Sequence, residues 1–272
     1  MTKKPLSQYH PALFYLSVFY RRLKRHIILA KCRTSWAKDQ INHKLPVLVK
    51  THQSTLIRPL SGTDIQLQKN KVVNLKIAVQ HLDGLIIKPG EIFSFYKCIG
   101  WPTRLKGYIK GLELSAGETK AGIGGGLCQI ANMIHWLVLH SDLDVIEHHH
   151  HSFDLFPDQD RVVPFGCGAT LFYNYLDYQV QNNTDQTYQF RLTVTDDCLL
   201  GELAADKPVP YTYHIIEKNH KFVHKDGKTY RQNEIWREKH YNAELIGNSD
   251  SELTLLKKNN SLVLYPVGNI ME

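Results

Sequence analysis

The segment Gly122-Ile123-Gly124-Gly125-Gly126-Leu127-Cys128-Gln129 constrains this chain more than any other. Three consecutive glycines disfavour both helix and strand and admit positive φ freely, so they predict a turn. The residues that follow, Cys128 to His140, place apolar side chains at helical spacing. The chain therefore delivers a cysteine to the first turn of a helix directly from a bare backbone loop. Free amides and the positive end of the helix dipole at that position stabilise a thiolate and lower its pKa. The same amides, with those of Gly124, Gly125 and Gly126, can hold a developing oxyanion, and Gln129 adds a side-chain donor. These are the parts of an acyl-transferring thiol site. Glycine-rich loops also serve close packing, and free cysteines are often inert core residues, so that alternative stays open on the residues alone.

A thiol nucleophile needs a base. Twenty residues on lies Glu147-His148-His149-His150-His151-Ser152. On a strand, positions 147, 149 and 151 share one face. A histidine on that face, His149 or His151, can meet Cys128 while an acid such as Glu147 fixes its tautomer. Imidazoles also bind metal, but Cys128, His135 and His140 do not make a standard zinc spacing, and no metal or other cofactor is expected. A phosphate-binding loop fails as well, since no strand of proper length precedes the glycines and no P-loop lysine follows.

The rest of the chain predicts an α+β fold. Residues 11–44 read as helix until Pro46 breaks the run, and 67–82 read as a second helix ended by Asp83-Gly84. Leu85 to Ile87 and Glu91 to Phe95 read as short strands around a Pro89-Gly90 turn, and the chain is extended from Val145. A mostly antiparallel β-rich half follows the central helix, with strands over 169–181, 187–195, 209–217 and 228–237. Asn182 to Asp185 reads as a hairpin turn, and 253–265 as a last hairpin. This gives a helical arm over 1–65, a core over 66–200 and a β-rich extension over 201–272 packed on the core.

Charge is uneven. Residues 1–50 hold eleven Lys and Arg and one acid, Asp39, whereas the remainder is slightly acidic. The arm is either a surface helix with a solvated basic face or a peripheral anchor on an anionic membrane, using residues 11–44. No nucleic-acid motif accompanies the charge, and nucleic acid is not expected as a partner. Five cysteines without paired spacing point to a reducing compartment. The early apolar run, Leu13 to Tyr20, precedes the basic cluster instead of following it, as a signal peptide would not. A cytoplasmic protein, peripheral at the inner membrane face if the arm binds lipid, is the expectation.

Taken together, Pro89-Gly90-Glu91-x-Phe93-Ser94-Phe95, Gly124-Gly125-Gly126-x-Cys128-Gln129, Glu147-x-His149-x-His151-Ser152 and Pro164-x-Gly166 resemble the VanW family in order and spacing over about 70–195. That resemblance implies a link to glycopeptide resistance and the bacterial cell envelope. It also implies an L,D-transpeptidase-like or amidase activity on a peptidoglycan precursor or muropeptide. Cys128 would be the acyl acceptor, His151 the leading base, His149 the second, and Glu147 the orienting acid. Gly124, Gly125, Gly126, Gln129 and Ser152 would bind substrate or oxyanion. One departure is local: where the family pattern has Arg-Asp after Pro-x-Gly, this chain has Cys167-Gly168, and Asp154 or Asp177 would have to replace the acid. The runner-up function is a non-enzymatic, membrane-surface binding protein of the envelope machinery.

Overall fold

The computed structural model describes residues 11–31, 34–58, 63–115, 118–150, 153–157, 162–241 and 251–267. The first helix, α1 (Pro11–Lys31), is shorter than the sequence predicts. From residue 34 the backbone is extended, and Trp36 and Gln40 make single bridges to Ile92 and Leu85. The amide of Ala37 donates to Ile92 O at 2.9 Å. Partnering with core strands overrides the helical pattern of this segment, and Ala37 is buried.

Next come β1 (Val47–Thr55), α2 (Ile65–Val79), β2 (Ile86–Ile87) and β3 (Ile92–Ser94), then a five-residue helix, α3 (Phe95–Ile99). The Asp64 side chain caps α2 by accepting from the Gln66 amide at 2.8 Å. A hairpin of β4 (Lys110–Ser115) and β5 (Glu118–Ile123) leads into the glycine loop and α4 (Cys128–Val138). The strands β6 (Asp144–Glu147), β7 (Phe153–Asp154), β8 (Gln179–Gln181), β9 (Tyr188–Val194) and β10 (Cys198–Ala205) complete the core. A long meander, β11 (Tyr211–Lys225), β12 (Lys228–Tyr241) and β13 (Ser251–Val263), ends the chain.

The strands form three sheets besides the β4–β5 hairpin, in orders β1-β10-β9-β2, β3-β8-β6 and β11-β12-β13-β7. Every pairing is antiparallel except the short β13–β7 contact. The helix α4 packs on β1 and β10. Gly201 makes this approach possible, because a Cβ there would sit 2.4 Å from Met133 Sδ. Leu75, Ile87, Phe93, Ile130, Ile134, Leu137, Phe190 and Leu203 form the main core around this contact. On the opposite side, Trp136 of α4 and Leu139, which caps it, join Cys167 and Ile235 in a second cluster that seats the C-terminal sheet.

Three readings change. Asn182 to Asp185 turns the chain, but its flanking strands β8 and β9 belong to different sheets, so no hairpin forms. Residues 169–178 are irregular apart from a small bridge of Phe172 to Leu176, with only 179–181 a strand. The predicted last hairpin is one strand, β13, running past Asn259-Asn260. Asn259 is no turn residue: its side chain is buried and donates to Phe165 O at 3.3 Å and to Asn233 Oδ1 at 2.7 Å. The Asp226-Gly227 turn of the β11–β12 hairpin has both φ values positive, as a two-residue hairpin loop favours.

Candidate functional site

A buried asparagine sets the position of the glycine loop. Asn74 on α2 is fully buried; its Nδ2 donates to Ile109 O at 3.0 Å and Gly125 O at 2.9 Å, and its Oδ1 accepts from the Ile109 amide at 2.9 Å. The loop is packed, not loose. A Cβ on Gly125 would lie 2.3 Å from the Gly111 backbone, and one on Gly124, at φ +80°, 2.7 Å from Pro102. At Gly126, with φ +98°, the Lys71 stem fills the space a Cβ would need.

The loop amides divide into two sets. Those of Gly124 and Gly125 donate to Ile109 O and Gly122 O, at 3.1 and 3.0 Å. Those of Gly126 and Leu127 have no intrachain acceptor among the described residues, whereas the Cys128 amide is engaged by its own thiol. Any oxyanion site at the helix start thus draws on Gly126 and Leu127. Gln129 points elsewhere: its Nε2 donates to Ser54 Oγ at 2.9 Å and Thr55 O at 3.0 Å, and its buried Oε1 has no partner among the described residues.

Cys128 stands at the first position of α4 and is partly exposed. Burial pushes its thiol up; the Leu171 amide pulls it down, and the Glu113 carboxylate pushes it up again. The net direction is upward, against the thiolate-stabilising effect of the helix start. The thiol is crowded by protein even though its surface is not closed, and crowding wins. Tyr96, a buried phenol, is the other titratable group that feels Cys128, and burial raises it too. Sequence reading missed Tyr96 and Glu113, although Tyr96 directly follows the Phe93-Ser94-Phe95 motif.

The histidine run is only partly strand. The strand β6 ends at Glu147, so the alternation does not extend to 149. His148 stacks on buried His135 with centroids 4.1 Å apart and bonds Gly168 O through Nε2 at 2.8 Å. His149 Nε2 lies 3.1 Å from Glu147 Oε1, an acid–imidazole pair, and His149 O accepts from the Thr170 amide at 2.7 Å. Thr170 and Leu171 therefore connect the two halves of the site, one bonded to His149 and the next to Cys128. No described histidine hydrogen-bonds the thiol. His151 and Ser152 lie outside the described residues.

Glu147 is the hub of a charge knot. It accepts from Arg25 of α1, from His149, and from the Asp177 amide at 3.0 Å. Burial alone would raise its carboxyl, but these three donors hold it below the usual range. Asp177 is buried and accepts from Ser94 Oγ, the amides of Tyr96 and Tyr178, and Gln179 Nε2. Burial nonetheless lifts its pKa. Asp154, the other acid considered, pairs with buried Arg231 at 3.3 Å and accepts from Tyr265 at 2.8 Å.

A cleft of about 400 Å³ opens beside the start of α4. It is lined by His52, Arg58, Gln129, His150, Asp154 and the Pro164–Gly168 strip among others, so it draws on three of the four sequence motifs. The C-terminal sheet holds the strip in place: Asn233 and Asn259 donate to Phe165 O, and Lys257 donates to Gly166 O at 3.2 Å. Among the described residues Cys98, Cys128 and Cys198 are free thiols. Among the described residues no three His, Cys, Asp or Glu side chains are grouped to hold a metal ion.

A family model for "VanW like protein" matches residues 70–204. The chain belongs to the VanW family. It is 30% identical over 267 residues to the vancomycin B-type resistance protein VanW of Enterococcus faecalis, covering 98% of this chain and 96% of that one. It is also 28% identical over 123 residues to the uncharacterized protein YoaR of Bacillus subtilis, covering 45% of this chain and 39% of the relative. No solved structure matches.

Proposed function

We propose that this protein acts in glycopeptide resistance and the bacterial cell envelope as a cysteine-dependent acyl transferase, L,D-transpeptidase-like or amidase, on a peptidoglycan precursor. The observation that carries this reading is the pair of unused amides on Gly126 and Leu127 at the turn that delivers Cys128, with the Leu171 amide on the thiol itself. Donors preset at a nucleophile are the costly part of an acyl-transfer site and have no structural use of their own.

The thiol attacks a stem-peptide carbonyl, and the carbonyl oxygen gains negative charge facing the free amides of the loop. Because the resting thiol stays protonated, its proton must pass to a base as the carbon–sulfur bond forms. His149, oriented by Glu147, or His151 takes that proton and returns it to the departing amine. The carbon–nitrogen bond breaks and a thioester remains. An acceptor amine, in transpeptidation, or water, in hydrolysis, then attacks the thioester and releases the thiol. The expected outcome is that Cys128→Ala, folded by circular dichroism, loses all turnover of a muropeptide. Unchanged turnover would end this reading.

A second reading concerns location. The residues of α1 that face the body form a helical stripe of Val18, Arg22, Arg25 and Leu29. Arg22 donates to Tyr173 O at 3.2 Å and lies over the rings of Trp101 and Tyr173. Meanwhile Phe14, Tyr15, Leu16, Phe19, Tyr20, Leu23, Ile27 and Ile28 face outward. This reverses the ordinary amphipathic arrangement. The helix carries no acid, and exposed Arg21 and Lys24 flank the apolar side chains. No described helix is long and apolar enough to cross a membrane. An anionic membrane surface fits that face, with the helix lying in the interface. Flotation with vesicles containing phosphatidylglycerol, weakened by salt and abolished by Phe19→Glu/Ile27→Glu, is expected. Absence of binding at low salt would contradict it.

A further inference from the structure

The helix α1 is fastened to the Cys128 site by three arginines. Arg25 donates to one oxygen of Glu147, whose other oxygen receives His149 at 3.1 Å and the Asp177 amide at 3.0 Å. The same guanidinium lies 3.8 Å from Asp177. One turn earlier, Arg22 donates to Tyr173 O at 3.2 Å and covers the rings of Trp101, Phe172 and Tyr173. Arg21 donates to the Tyr175 hydroxyl and lies over its ring. Tyr173 and Tyr175 belong to the irregular strip 169–178, and this strip reaches the site. Its Thr170 amide holds His149 O, and its Leu171 amide holds the Cys128 thiol. One helix therefore bears on both halves of the site, on the thiol through the strip and on the acid–imidazole pair through Glu147.

Two features mark the contact as releasable. First, it buries little apolar surface. No α1 side chain belongs to either apolar cluster, and Phe14, Leu16, Phe19 and Ile27 face away from the body. Ion pairs and ring contacts of partly exposed arginines are weak attachments, screened by salt. Second, the contact is unfinished. Arg25 Nε, Thr170 Oγ1 and Asn174 Nδ2 are buried with no hydrogen-bond partner among the described residues, and Asn174 holds φ +47°. Buried polar atoms without partners favour a rearrangement that supplies them.

The docked arrangement is also closed. Gln129 lines the cleft of about 400 Å³, and Cys128 does not. The Leu171 amide sits on the thiol, and His149 is turned to Glu147. A substrate carbonyl reaches the sulfur only after the strip shifts. The side of α1 turned away from the body is apolar, the helix carries no acid in its first turn, and Arg21 and Lys24 flank that side. A helix lying in an anionic interface is surrounded by headgroups across its diameter of about 10–12 Å. Their phosphates compete for Arg22 and Arg25 while the apolar side chains hold the helix at the surface. The open state then has a ligand that the closed state lacks, as a shift of population requires.

We infer that α1 is an autoinhibitory strap: docked on Glu147 and the 173–175 strip it keeps the Cys128 site closed, and an anionic membrane surface opens the site by taking its arginines. This rests on the acyl-transfer reading and on α1 meeting a membrane, and it makes the activity conditional on that surface.

The test is alkylation of the full chain by iodoacetamide at pH 7, mapped by peptide mass spectrometry, without vesicles and with vesicles of phosphatidylglycerol or of phosphatidylcholine. Phosphatidylglycerol is expected to speed alkylation of Cys128 about tenfold, the factor that two or three weak surface contacts together supply. Phosphatidylcholine should not. Arg22→Ala/Arg25→Ala should match the lipid-stimulated rate with no lipid present and gain little more from vesicles. Phe19→Glu/Ile27→Glu should keep the resting rate and ignore phosphatidylglycerol. Cys98, packed against the main core, is the internal control in every arm. Hydrogen–deuterium exchange separates opening from unfolding: in the double arginine variant the amides of 169–178 should exchange faster while those of β10 keep their rate. Wild-type reactivity in that variant, equal acceleration at Cys98 or in β10, or no acceleration of Cys128 by phosphatidylglycerol would overturn the inference. Alkylation needs no substrate, so the two readings fail separately. A strap that opens without muropeptide turnover refutes the acyl-transfer reading alone, and turnover indifferent to lipid and to both arginines refutes the strap alone.

Discussion

Charge is handled in opposite ways on the two sides of the α4 start. Toward β6 and α1, Glu147, Asp177 and Arg25 form a knot in which both carboxylates accept several hydrogen bonds. Toward β1, Arg58 and Lys71 meet no counter-charge among the described residues. The first pattern stores stability, since both buried carboxylates are satisfied, although the buried Arg25 Nε has no hydrogen-bond partner among the described residues. The second spends it. The two sides therefore differ in how far the chain itself balances its charges.

The sharpest way to break this contrast is to neutralise each side in turn. Lys71→Met keeps the stem against Gly126 and removes a charge that burial disfavours. At pH 7 the lysine is charged folded and unfolded, so the variant is expected to be more stable by up to about 3 kcal/mol in denaturant titration. The pH dependence follows the same sign. From pH 8 to about 10.5 the unfolded chain holds a proton that the folded chain has lost, so wild-type stability rises with pH there, and the rise is absent in Lys71→Met. A destabilised Lys71→Met would show that the cation is a structural element after all.

Glu147→Gln acts on the paired side and should do the reverse. It leaves half-buried Arg25 with only its longer contact to Asp177, at 3.8 Å, and a loss of about 2 kcal/mol is expected in the same titration. The folded carboxyl titrates below its usual range. Its contribution is thus complete above about pH 4.5 and fades as pH falls through the lower folded value, so wild type and variant converge in acid. Unaltered stability at pH 7 would remove the distinction between the two sides.

The smallest expected effect concerns α1. Arg22 is only half-buried but rests on the aromatic group Tyr96, Trp101 and Tyr173 next to Cys128. Arg22→Ala is expected to cost under about 1 kcal/mol, in keeping with a partly exposed contact. It should nonetheless speed alkylation of Cys128 several-fold, as read by peptide mapping. No change in alkylation would show that α1 does not shield the thiol.

Much of this was legible in the residues, for identifiable reasons. The period of 128–140 and the glycines before it determine α4 and its loop, and Pro89-Gly90 marks the turn between two short strands. The β4–β5 hairpin and β10 went unread because Gly111, Gly122 and Gly201 interrupt the pattern; Gly111 admits the Gly125 backbone, Gly122 the Glu113 carboxylate and Gly201 the helix residue Met133. β1 was masked by its polar residues, His52 to Thr55, which line the cleft. Asn259 looked like a turn and is a clamp on Phe165. The thiol's chemistry was half legible. A helix start lowers a cysteine pKa, but the opposing burial and the Glu113 carboxylate come from contacts remote in sequence. Arg58 and Lys71 left no signal, because being unpaired is a property of three-dimensional surroundings.

Intact-protein mass spectrometry of an acid-quenched reaction with a tetrapeptide muropeptide tests the central proposal most directly. A mass increase matching the acyl group, mapped to Cys128, reversed by hydroxylamine and missing in Cys128→Ala, is expected. A muropeptide converted with no covalent species on Cys128, or the same adduct persisting in Cys128→Ala, would contradict the assignment of this thiol as the acyl acceptor.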